Sequence, residues 1–143
     1  MNKLFQYLAL AGTLPFIFCT ALLMAGVEAL PVIGQIERVL SAYGLVIAGF
    51  MAGSHWGQHL HLNNRWCLYL PVFSNLVTVL LWMCFILFDF DGFLVALVLS
   101  FLTLLLIDNR LLKAEIISAE YFRIRSVVTL IVITSLLISW LHA

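Results

Sequence analysis

Apolar residues occupy this chain in five long blocks, each closed by a short polar or turn-forming stretch. The blocks run from about Leu4 to Gly26, Leu40 to Leu60, Trp66 to Phe88, Phe93 to Ile107 and Tyr121 to Leu141. About 20 apolar residues, rising about 1.5 Å each, cross a bilayer core of roughly 30 Å, and every block approaches or meets that length. The pattern therefore predicts an all-α membrane protein, a five-transmembrane-helix bundle forming one domain over residues 1–143. Pro15 and Pro71 mark places where their helices can kink. The fourth block is short and gains length if Asp89 and Asp91 stand at its outer boundary. Lys3 and the apolar run ending at Ala25 and Gly26 imitate a secretory signal, and with Met1 in place the block is read as an uncleaved first helix. The connections are Glu28 to Arg38, the polar turn His61 to Arg65, the acidic turn Asp89 to Gly92, and Asn109 to Glu120. The last mixes apolar and charged residues as a short helix lying in the interface would.

Composition identifies the solvent. With 64% hydrophobic and 10% charged residues among 143, the chain carries more apolar surface than a water-soluble core of this size can hide. Seven basic residues balance seven acidic ones, so no net field draws the protein to nucleic acid. The distribution of charge sets an orientation. With the N-terminus inside, Lys3, Arg65, Arg110, Lys113, Arg123 and Arg125 are all inside and only Arg38 is outside. Basic loops stay cytoplasmic, so the expected topology is N-terminus cytoplasmic and C-terminus outside, with Glu28, Glu37, Asp89 and Asp91 on the outer side. Trp66, Tyr69 and Tyr121 then stand at the inner interface and Trp140 at the outer. Cys19, Cys67 and Cys84 lie in apolar stretches without metal-binding spacing and read as packing residues.

The second block, AYGLVIAGFMAGSHWGQHLHL, crowds small and polar residues into one membrane helix. Gly49, Gly53 and Gly57 recur every four residues as one smooth stripe. Ala48, Ala52, His55 and His59 share a neighbouring stripe. Both are expected to let other helices approach closely, which is how membrane helices associate. His55 and His59, at i and i+4, direct both imidazoles to one side. That arrangement serves a structural hydrogen bond, a proton transfer or a ligand contact, or a metal or haem. No Glu or Cys lies nearby to complete a metal site, so no metal is assigned.

Asp108 closes the fourth block, and Tyr121-Phe122-Arg123-Ile124-Arg125 opens the fifth. Arg123 and Arg125 are about 200° apart on a helix, so one reaches toward headgroups while the other turns inward. Arg125 is expected to meet Asp108, either as an ion pair pinning two helices or as a recognition site for an anionic headgroup or carboxylate. Depth brings these residues together. His55 lies roughly 23 Å below the outer end of its helix, and Asn75, costly in lipid unless paired, lies roughly 14 Å from the inner end of the third. His55, Asn75, Asp108, Tyr121 and Arg125 are therefore expected to line one ligand or proton pocket opening toward the cytoplasmic side. Trp56, His59 and Arg123 are secondary candidates, and no catalytic residue is assigned.

The segments AYGLVIAGFMAGSHWG and YFRIRSVVTL, with Asp108 between them, resemble the uncharacterised DUF3429 family, which includes the mitochondrial transmembrane protein 69. The resemblance covers most of the chain. It rests on the triplet His55-Trp56-Gly57 and on Tyr121, Arg123 and Arg125 at the start of the last helix. His59 is not part of the family pattern, and Glu120 stands where the family tends to have an aromatic residue. The resemblance implies a bacterial inner membrane, or the mitochondrial inner membrane in a eukaryote. It supplies no reaction.

Three classes of function fit these residues. The first is a non-enzymatic bundle binding a lipid-soluble small molecule, such as a lipid or a quinone-like compound, or a larger membrane complex. The second is a transporter or proton pathway, which five short helices would form as a homo-oligomer. The third is a membrane redox, haem or metal protein using His55, for which no nucleophile elbow, metal triad or phosphate loop is present. The sequence favours the first and leaves the cofactor unassigned.

Overall fold

Hydrocarbon offers the backbone no hydrogen bonds, so each apolar block closes its own helix. The structure, a computed structural model, describes residues 3–60, 62 and 65–142, without the side chains of Phe5 and His59. Its elements are α1 (Lys3–Ala11), α2 (Leu14–Met24), β1 (Ala29–Leu30), β2 (Gly34–Gln35), α3 (Ile36–His59), α4 (Trp66–Leu87), α5 (Phe90–Lys113) and α6 (Ala119–His142). Five helical spans of 19 to 24 residues are long and apolar enough to cross a membrane, which makes this a multi-pass membrane protein.

The first span is a pair of helices. Pro15, in the first turn of α2, has no N–H for the carbonyl a turn earlier, and the chain breaks at Gly12 and Thr13. The hydroxyl of Tyr43 in α3 donates to the carbonyl of Gly12 at 2.8 Å, and the Tyr43 ring meets Phe16 edge to face. The break is thus fastened to α3. Pro71, by contrast, sits inside α4 without interrupting it.

Two connections differ from expectation. The expected interfacial helix over 109–120 does not form. α5 instead continues through Asp108 to Lys113, because Asp108 and Leu111 belong to its buried face. A short turn with Glu115 at φ 60° then leads into α6. The segment from Glu28 folds as a two-stranded antiparallel hairpin pairing Ala29 with Gln35 and Leu30 with Gly34, so α3 starts four residues before Leu40. At the start of α5, Asp89 accepts the Gly92 N–H at 2.9 Å and caps the helix. Of the expected turn His61 to Arg65, positions 61, 63 and 64 lie outside the described residues.

The core lies among α2, α3, α5 and α6, where Phe16, Leu40, Leu97, Phe101, Val132 and Leu136 are fully or almost fully buried. α4 packs on α3 and α5 from outside and leaves most of its surface exposed. Thr20 of α2 bonds the carbonyl of Ser135 and the hydroxyl of Ser139 in α6. Such hydroxyls satisfy one another where lipid cannot.

Candidate functional site

Three helices each place one ionisable residue in an otherwise smooth buried seam. In α5 the seam is Leu97, Phe101, Leu104, Asp108 and Leu111, at alternating steps of four and three residues, the rhythm that keeps one helix face against its neighbours. The seam of α6 follows the same rhythm through Arg125, Val128, Val132, Ser135 and Ser139, and that of α3 through Ser41, Gly44, Ala48, Met51 and His55. His55 stands four residues before the end of α3 and Asp108 five before the end of α5. Arg125 stands six after the start of α6. All three helix termini belong to one side of the bundle, so the three residues share a depth of roughly 6 to 9 Å along their helices.

They meet at the carboxylate. Asp108 Oδ1 lies 2.8 Å from His55 Nε2, and Asp108 Oδ2 accepts from Arg125 Nε at 2.9 Å. The side chains of His55 and Asp108 are each 1% exposed and that of Arg125 is 9% exposed. Ions buried this far are stable only when opposed and hydrogen-bonded, and here each carboxylate oxygen has a donor. With the carboxylate accepting, His55 carries its proton on Nε2. Its other ring nitrogen, Nδ1, is buried and has no hydrogen-bond partner among the described residues, and neither has Gln58 Oε1 one turn further along α3.

Beside the triad lies a cavity of about 440 Å³ framed by α1, α2, α3 and α6. Its walls are apolar, with Phe16, Ile47, Met51 and Val128 among them. Among the described residues of its lining, Ser54, Tyr121 and Arg125 are the polar side chains. That volume falls within the roughly 300–1,000 Å³ typical of small-molecule sites. A second, shallower depression is lined by Gln58, Ser118, Glu120 and Tyr121, so Tyr121 borders both spaces. Gln6 of α1 donates to Glu120 of α6 at 3.0 Å close by. The Arg125 guanidinium carbon stands 5.9 Å from the centre of the half-buried Tyr121 ring.

His55, Asp108, Arg125 and Tyr121 are thus gathered together, whereas Asn75 is not. Asn75 is exposed on α4, and the buried residue is its neighbour Ser74, which donates to the Ala52 carbonyl at 2.6 Å. Adjacent helix positions differ by about 100°, and α4 turns the Ser74 side toward α3. Arg123 and Trp56 are exposed, and the side chain of His59 lies outside the described residues.

The glycine stripe also departs from expectation. Ala48 and Ala52 are fully buried, but a Cβ added at Gly49, Gly53 or Gly57 would meet nothing within 4 Å. These glycines stand a quarter turn or more from the seam, on a side of α3 where no neighbour among the described residues comes within 4 Å of an added Cβ. Close approach occurs instead at Gly44, where an added Cβ would stand 2.6 Å from a Leu97 methyl carbon. Gly44 lies in the 3–4 rhythm of the α3 seam, and that rhythm was the signal for it. Gln58 and the cavity walls had no such signal. Among the described residues no group of three or more His, Cys, Asp or Glu side chains is arranged to hold a metal ion.

A family model described as Protein of unknown function (DUF3429) matches residues 1–141. No curated protein and no solved structure matches the chain.

Proposed function

The chain belongs to the DUF3429 family, and we propose that it binds a lipid-soluble small molecule, without catalysis, in the cavity between its first span, α3 and α6. The observation that carries this reading is a cavity apolar along its walls and bordered by Arg125, a cation buried in the membrane-spanning region. Ionisable groups inside membrane helices are rare and expensive, and they are functional candidates for that reason. An amphiphile would lay its tail against Phe16, Met51 and Val128 and its head toward Arg125 and Tyr121. With the N-terminus cytoplasmic, as the basic residues favour, the head would sit in the inner leaflet of a bacterial inner membrane, or of the mitochondrial inner membrane in a eukaryote.

The test is native mass spectrometry of the full-length protein released from mild detergent, beside the variant Ile47→Trp, whose larger ring would occupy the cavity. The wild-type protein is expected to retain a bound small molecule that Ile47→Trp lacks. Equal retention by both, or no adduct on either, would refute the reading.

A further inference from the structure

We infer that the molecule held in this cavity has an uncharged head that accepts hydrogen bonds, such as a carbonyl or quinone-like oxygen. This rests on the binding reading above and adds to it the chemical class of the head.

Arg125 supplies the first reason. Its side chain is nine-tenths buried and its Nε donates to Asp108, while the terminal nitrogens of the fork, which are not fully enclosed, donate to no acceptor among the described residues. A guanidinium has five N–H donors and no acceptor, so the unfilled valence of this lining residue calls for a lone pair. The rest of the lining is poor in candidates. The Ser54 hydroxyl is hydrogen-bonded to the Met51 carbonyl at 2.6 Å.

Charge balance supplies the second. Asp108 is fully buried and already opposes Arg125. The Asp108 carboxylate and the Arg125 guanidinium, held together at 2.9 Å, already balance each other's charge. An anionic head would bring an uncompensated negative charge next to Asp108, in surroundings that screen it weakly. A neutral acceptor fills the guanidinium without that repulsion. The apolar walls require only that the remainder of the molecule be hydrocarbon.

The experiment compares three labelled probes of one chain length: a long-chain methyl ketone, the corresponding fatty acid and the parent alkane. Saturable binding is measured at neutral pH on the full-length protein in phospholipid nanodiscs, against protein-free nanodiscs. The ketone is expected to bind about tenfold more tightly than either the acid or the alkane, the scale of one hydrogen bond to a charged donor. Arg125→Lys keeps a cation opposite Asp108 but removes the planar fork, and the preference should fall away in it. Should that variant not fold, the ranking of probes on the wild-type protein decides alone. Tighter binding of the acid, or equal binding of all three, overturns the neutral head while leaving an occupied cavity. No saturable binding of any probe overturns the cavity reading and this inference with it.

Discussion

Asp108 holds two partners with two oxygens, so the consequences of removing either partner are unequal to the consequences of removing the whole pair. Arg125→Leu leaves a buried carboxylate supported by His55 alone and should destabilise the bundle by about 3–5 kcal/mol. The double variant Asp108→Leu, Arg125→Leu replaces the pair with apolar volume and should recover part of that loss, the remainder being the cost of leaving His55 Nε2 without its acceptor. Reversible unfolding in mixed micelles measures both, and additive losses in the double variant would argue against the pairing. This contact was legible in the sequence because only one of two arginines about 200° apart can face a neighbour while the other faces out. Asn75 was misread for a related reason. Its amide demanded a partner, but the choice between it and Ser74 depended on how α4 is rotated against α3, and the apolar surround of α4 marks no side.

Among the elements, α3 carries the most information because its two sides are so unlike. One side is the seam of Gly44, Ala48, Met51 and His55, and the other is the open stripe of Gly49, Gly53 and Gly57. Substitutions on the two should therefore part company. Gly44→Val drives a branched side chain into the fully buried Leu97 and should destabilise by about 1–3 kcal/mol. Gly53→Ala adds a Cβ that meets nothing within 4 Å among the described residues and should raise stability by up to about 1 kcal/mol through helix propensity. Thermal unfolding of the two variants side by side distinguishes them, and a reversed order would contradict the assignment of the faces. Helix number was readable from block length alone, since hydrocarbon leaves few alternatives. Helix ends were less so. Asp108 and Arg110 look like a boundary in sequence, yet burial of Asp108 and Leu111 carries α5 on to Lys113.

At the scale of the whole molecule, the cavity exists because the first span is broken and two later helices stand around the break. Pro15 announces the interruption, but the Tyr43 hydrogen bond that fastens Gly12 to α3 and the Gln6 to Glu120 bond that joins α1 to α6 depend on residues distant in sequence. No local pattern encodes the space they enclose. The polar triad was the part that could be anticipated, and the apolar chamber beside it was not. The most direct measurement is an experimental density map of the full-length protein prepared in native lipid. It should show elongated density between Phe16, Met51 and Val128, ending within hydrogen-bond distance of the Arg125 guanidinium. A cavity closed by its own side chains, or open and without such density, would contradict the account.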